Sequence, residues 1–371
     1  MIYSNFYKSK IRKLYIERGS EGSPHVVKAI ERLDGVAMRV IEDVSEIPGA
    51  DRTGTTLYVH APRGAPVTRC PGTKGHRCCN YLTVELYSGC PIGCTYCIMR
   101  SYLNFAPVSI VSDTKPIADE IGRIALSNPD TMIRVGSGET GDSLYYDPLF
   151  ELSMPIVESL AEYANVHFEL KTKTAFVDHL VSVPRKGNAV IGFSLSPQPV
   201  VDAEEGSAAS LEERVDAAWR ASEAGYLVSF HFDPMFYDES WRERYLPVVG
   251  KLKRFAGVID GRRRIAWISL GTFRFPDELK NKIAARPYMF AELVRSADGK
   301  YRYIQKFRSE MYREMRDAIR SIVSSPVYLC MESEAVWRRA FGNLPEALAE
   351  ESPLFDWPDV VPTIRDTPPS I

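Results

Sequence analysis

Three thiols on one short loop carry the first chemical signal in the sequence. Cys90, Cys94 and Cys97 form a C-x3-C-x2-C triplet directly after the strand-like run 81–88. Thiolates are the usual protein ligands of iron–sulfur clusters, and a [4Fe-4S] cubane bound by three of them keeps one iron without a protein ligand. An open coordination position is where a metal centre takes substrate or cofactor. Zinc is more often held by four ligands in paired knuckles, and this spacing supplies three with unequal gaps. A zinc site and three ordinary thiols remain the plainer alternatives. Three further thiols, Cys70, Cys78 and Cys79, lie just upstream with His76 among them. They suit an auxiliary cluster, a redox or hydrogen-donating role, or the packing of a buried loop.

Such a loop needs a rigid frame. From Tyr81 to Pro276 strand-like and amphipathic helical stretches alternate, with strands expected at 82–87, 132–136, 166–170, 189–195, 226–232 and 265–270. The best-marked helix spans 210–224, where Ser210 and Glu213 make a capping box and Gly225 a stop. Six βα units with right-handed crossovers predict an α/β fold, a partial (β/α)6 TIM-like barrel over 81–276. Functional groups of such barrels stand at the C-terminal strand ends. That rule places Glu139, Lys173, Ser194 and Asp233 around one cavity with the cysteine loop, the bland counterpart being a satisfied polar group at a strand end.

Residues 1–80 read as an irregular N-terminal extension, helix-like at 26–33 and strand-like at 36–41. Residues 277–371 read as a hairpin and helical extension. In it Asp298-Gly299 signals a hairpin turn, followed by a helix at 306–323, a strand at 327–331, a helix at 333–341 and a proline-rich tail. At 371 residues and 45% hydrophobic, the chain can bury a full barrel core and still carry extensions. A net charge of −2 gives no general attraction to polyanions. Nucleic acid, if bound, must meet a local patch such as Lys251, Lys253, Arg254 and Arg262 to Arg264, or Lys306 and Arg308. No run of eighteen apolar residues exists, which argues against a membrane span, and seven cysteines fit a reducing compartment, so a cytoplasmic protein is expected.

The triplet, the aromatic Tyr96 before its last cysteine and the loop's place after a first barrel strand resemble the radical S-adenosylmethionine (SAM) superfamily. Within it the chain resembles the spore photoproduct lyase family over roughly residues 25–330. The matched positions are Tyr96, Arg134, Thr140 to Asp142, Thr172 and Lys173 ahead of Val177 to His179, Phe193 and Ser194, Phe230 to Pro234, Phe273 to Phe275, and Gly299 to Tyr301. The resemblance implies a radical SAM enzyme with a [4Fe-4S] cluster on Cys90, Cys94 and Cys97. Reductive cleavage of SAM would give a 5′-deoxyadenosyl radical that takes a hydrogen atom from substrate, with Tyr96 and Glu139 as catalytic residues. It further implies a flavodoxin- or ferredoxin-like electron donor. In the implied SAM pocket Glu139, with Thr140 beside it, meets the amino group, Lys173 the carboxylate and Ser194 the ribose or carboxylate, and Asp233 joins them. Lys300, Tyr301 and Arg302 lie where the family uses a hairpin to enter damaged DNA, which makes them candidate substrate contacts and leaves two readings open, a nucleic acid or nucleotide substrate and an ordinary solvated basic face; the sequence does not name the substrate.

Two positions depart from the family. Glu139 stands where the lyases have the cysteine that returns a hydrogen atom to the product radical, and Ile98 where they have a tyrosine. A carboxylate cannot donate a hydrogen atom under such conditions. Thymine-dimer reversal by the family's route is therefore not expected unless Cys330 or another thiol substitutes. The same-class alternative is a spore photoproduct lyase with a relocated donor, and the different-class alternative is a non-catalytic iron–sulfur protein.

Overall fold

The computed structural model describes residues 3–72, 76, 77, 79, 81–103, 107–259 and 261–355. In chain order the strands of the N-terminal half are β1 (Lys13–Glu17), β2 (Ala37–Ile41), β3 (Thr56–His60), β4 (Thr68–Arg69), β5 (Leu82–Thr83), β6 (Tyr87–Ser88), β7 (Val108–Val111), β8 (Ile133–Ser137) and β9 (Val166–Thr172). They continue as β10 (Val190–Ser194), β11 (Leu227–Met235), β12 (Val258–Ile259), β13 (Arg262–Arg263), β14 (Ile265–Thr272), β15 (Arg274–Phe275), β16 (Leu293–Arg295), β17 (Tyr301–Tyr303) and β18 (Val327–Leu329).

The main sheet has the order β18-β14-β11-β10-β9-β8-β5-β4. Its members are parallel except β4, which runs antiparallel to β5. Parallel strands need crossovers, and helices such as Lys115–Ser127, Ser153–Leu160 and Leu211–Glu223 supply them. The last begins as its sequence signals: Ser210 N donates to Glu213 at 2.7 Å, Glu213 N donates back to Ser210 Oγ at 3.3 Å, and Gly225 follows at φ 97°. The sheet curls into a half-barrel with its inner-face side chains meeting across it.

The registers identify that inner face. Glu169 pairs with Gly136 and Val190, Lys171 with Gly192, Gly192 with Ser229, Ser229 with Trp267, and Ser194 with His231. Because side chains alternate along a strand, His167, Glu169 and Lys171 look inward from β9. Val166, Phe168 and Leu170 pack outward.

Three expectations change. The strand expected at 82–87 is divided, because after Thr83 the chain crosses between sheets: Val84 N still bonds Gly136 O at 3.0 Å, whereas Leu86 O already accepts from Val111 N at 3.2 Å. The N-terminal segment is not irregular but forms a five-stranded sheet, β2-β1-β3-β7-β6. Its short strands bury Leu14 to Ile16 and Leu57 to Val59 without a long apolar run to announce them. The strand at 327–329 also belongs to the main sheet as a seventh parallel member, so β4 and β18, from outside 81–276, complete the barrel.

Arg77, which lies between β4 and β5 in the chain, meets the opposite edge of that sheet. Cys70 N donates to Tyr81 O at 2.8 Å, and Arg77 N donates to Glu332 O, just past β18, at 2.9 Å. Arg77 also pairs with Glu334 and Glu346. Cys78 lies outside the described residues. Among those described, no helix is long and apolar enough to cross a membrane.

Candidate active site

The cysteine loop is clasped from behind by the segment following β10. Thr95 N donates to Glu204 O at 2.9 Å, and Ser207 N donates to Ile92 O at 3.0 Å. Between these bonds Gly206, at φ 44°, lies so close that a Cβ would collide with the Ile92 carbonyl. In front, Gly89 N donates to Thr140 O at 3.0 Å, while Thr140 Oγ1 donates to Glu85 at 3.1 Å and to Tyr87 O at 3.2 Å. Thr140 therefore ties the end of β8 to the base of the loop.

Tyr96 anchors the loop through a buried charge pair. Its hydroxyl donates to Glu205, which also accepts from Ser196 Oγ at 2.8 Å and pairs with the fully buried Arg214. Arg214 in turn donates to Ser194 O at 2.9 Å and Ala209 O at 2.8 Å. Burial pushes the Glu205 carboxyl up, yet Lys173 and Arg214 hold it below its ordinary range.

Cys90 is exposed, Cys97 half-buried and Cys94 buried. Burial pushes the Cys94 thiol up to about 12, against the pull of Lys173. Among the described residues no three His, Cys, Asp or Glu side chains converge on one metal-ion position. The fit to a cubane therefore rests on the donor set: three thiols on one clasped loop at the C-terminal mouth of the barrel.

Lys173 continues the inward face of β9. Its charge acts on Cys94, Asp142 and Glu205, which places it against the loop. Its backbone N donates to Asp142 Oδ2 at 2.7 Å. Asp142 also accepts from Leu144 N and Tyr145 N at 3.0 Å each and from Thr172 Oγ1 at 2.8 Å, locking the ends of β8 and β9 together. Ser194 lies one strand over, at the end of β10. Glu139 is paired with Lys171, and Asp233 with the guanidinium of Arg274 at 3.3 Å on both nitrogens.

Beneath these ends the barrel interior is polar, which the sequence reading missed. Glu169, without solvent exposure, accepts from Tyr81 Oη at 2.5 Å, His231 Nε2 at 2.8 Å and Trp267 Nε1 at 3.1 Å, and from Ser229 Oγ. Burial opposes its charge, but His231 and Lys171 hold its carboxyl far below the usual range. Lys171 rests 4.3 Å from the Tyr81 ring centre while its ammonium pairs with Glu139. The usable signal was the period-two alternation of His167, Glu169 and Lys171 with apolar neighbours.

The expected substrate hairpin forms from β16 and β17, with β15 added at its edge. Lys300 is half-buried at its turn, and Tyr301 stacks on Phe275 with ring centres 5.2 Å apart. Arg302 is 1% exposed and grips Asp298 with two bonds of 2.7 Å, holding the turn. The basic runs are likewise engaged. Lys251 pairs with Glu212, Arg254 with Asp216, Arg264 with Glu223 and Arg308 with Glu332.

The family model described as spore photoproduct lyase matches residues 74–326. A spore photoproduct lyase from Clostridium acetobutylicum is 25% identical over 248 residues, covering 65% of this chain and 70% of that one. One from Bacillus subtilis is 24% identical over 170 residues, covering 46% of this chain and 50% of its own. Among solved structures, a spore photoproduct lyase double mutant with bound AdoMet and dinucleoside spore photoproduct superposes at TM-score 0.73 and 20% identity, covering 87% of this chain and 99% of that one. The chain thus shares its half-barrel with that enzyme and, by the span of the family match, belongs to the spore photoproduct lyase family of radical SAM enzymes.

Proposed function

We propose that this protein binds a [4Fe-4S] cluster on Cys90, Cys94 and Cys97, holds SAM across the adjoining strand ends, and acts on a nucleic-acid lesion of the spore photoproduct class. The observation that carries the reading is the clasped three-cysteine loop at the barrel mouth, with Lys173 fixed beside the clasp by its backbone bonds to Asp142 at 2.7 Å and Ala209 at 2.9 Å. An ammonium there suits the carboxylate of SAM. Ser194, one strand away, suits its carboxylate or ribose.

A cluster held by Cys90, Cys94 and Cys97 with SAM beside it would supply radical chemistry able to take a hydrogen atom from an unactivated carbon. The chain's own residues position and shield. Tyr96, Glu205 and Arg214 fix the loop, Thr140 and Asp142 fix the neighbouring strand ends, and Lys173 neutralises a carboxylate. Glu139 is already engaged by Lys171, so an amino group reaching it would share that carboxylate.

The nucleic-acid part of the reading is supported by the family and by the dinucleoside bound to the solved relative. A one-electron donor of flavodoxin or ferredoxin type completes it. Anaerobic reconstitution tests the assignment: the wild type should make 5′-deoxyadenosine from SAM once reduced, and Cys94→Ala should lose both cluster and cleavage. Full iron content and undiminished cleavage in Cys94→Ala would refute it.

A further inference from the structure

A hydrogen abstraction leaves a carbon radical on the substrate, and a product with a new C–H bond requires a donor at the barrel mouth. A thiol S–H bond is weak enough to give its hydrogen atom to a carbon radical. Three of the seven cysteines are assigned to the cluster loop, so the place of the others decides what the site can do.

Cys330 directly follows β18 and keeps its pairing: its backbone N donates to Leu270 O at 2.9 Å. Tyr328 faces inward opposite Ser269, so two residues on Cys330 faces inward as well, beside Gly271. Gly271 matters here because a Cβ at that position would run into the Asp233 carboxylate. The strand end between Asp233 and Cys330 consequently carries no side chain of its own. Arg274 bridges it, donating to both Asp233 oxygens at 3.3 Å and reaching Cys330 Sγ at 3.9 Å.

The thiol thus shares a layer with Asp233, just above the layer of Ser194 and His231, on the side of the mouth opposite the loop-facing Lys173. We infer that Cys330 is the hydrogen-atom donor to the substrate radical, which rests on the radical SAM reading above. In the step, the Cys330 S–H bond breaks homolytically, its hydrogen atom forms the new C–H bond, and a thiyl radical remains on Sγ. One electron from the external one-electron donor and one proton from solvent return that thiyl to S–H. Burial and the neighbouring Asp233 push the Cys330 thiol well above its ordinary range, so it keeps its hydrogen at neutral pH.

The test uses the reconstituted, reduced full-length protein with dinucleoside spore photoproduct in D2O. Exchange makes Cys330 S–D, so the repaired thymine should carry solvent deuterium, and Cys330→Ala should lower thymine formation at least tenfold while 5′-deoxyadenosine is still made. Thymine without deuterium from the wild type, equal thymine formation by Cys330→Ala, or loss of deuterium only in Cys70→Ala would each overturn the inference. If the wild type makes 5′-deoxyadenosine but no thymine, the inference falls and the SAM-cleaving assignment stands. If it makes no 5′-deoxyadenosine, the assignment itself falls. A second readout needs no turnover: in the reconstituted, unreduced full-length protein with SAM, saturating dinucleoside should slow alkylation of Cys330 at least fivefold by peptide mass analysis. An unchanged rate would place Cys330 away from the substrate and refute its role.

Discussion

Lys173 and Ser194 sit on adjacent strands, one turned toward the cysteine loop and the other bound through its carbonyl to the Arg214 pair that steadies the loop. Neither ligates metal in this reading, so their loss separates SAM binding from cluster binding. Lys173→Ala and Ser194→Ala should keep a full cluster while each weakens SAM. One charge-assisted hydrogen bond is worth about 1.5–3 kcal/mol, roughly ten- to a hundredfold in affinity. Equilibrium binding of SAM to the reconstituted variants checks this, and unchanged affinity in both would move the pocket elsewhere. The residues at the strand ends were legible because barrel geometry puts them there whatever the substrate. Glu169 and Lys171 were not, since a charge inside a strand reads as a solvent-facing residue until the curl of the sheet turns that face inward. Their pairing also changes the meaning of Glu139, which enters the site with Lys171 as its partner.

At the scale of elements, the loop after β10 is the clasp on which the cysteines depend. Gly206→Val combines an unfavourable φ with a collision against the Ile92 carbonyl. Iron uptake on reconstitution should fall severalfold while the far-ultraviolet circular dichroism stays that of wild type, because the clasp lies outside the regular strands. Full iron uptake would show that the loop needs no clasp. The long strands with alternating or continuous apolar residues, β8 to β11 and β14, could be read from the sequence. The division between β5 and β6 could not, because a switch from one sheet to another leaves no mark in a run of alternating residues. Nor could the N-terminal sheet, whose strands take their stability from parallel neighbours distant in sequence.

On the scale of the whole molecule, acid should unlock the barrel from its interior. His167 faces inward near the start of β9, and burial, with Arg134 and Arg262 nearby, lowers it to about 3 from an ordinary value of 6.5. It stays neutral in the folded protein but takes up a proton in the unfolded chain, so its contribution is fully present above pH 6.5 and declines as pH falls toward 3. Denaturant midpoints measured from pH 7 to pH 4 should fall in the wild type and fall less steeply in His167→Phe. Parallel slopes would remove His167 as a cause. The seam joining Arg77 to Glu332 has a different consequence, set by the order of synthesis. The cysteine loop is synthesised before β18 and Glu332, and at ordinary elongation rates roughly ten to fifty seconds separate them. Throughout that interval the thiols are present without the strand that completes the barrel around them. Newly made chains therefore hold these cysteines, for that interval, in a state more open to oxidants and metal ions than the completed barrel allows.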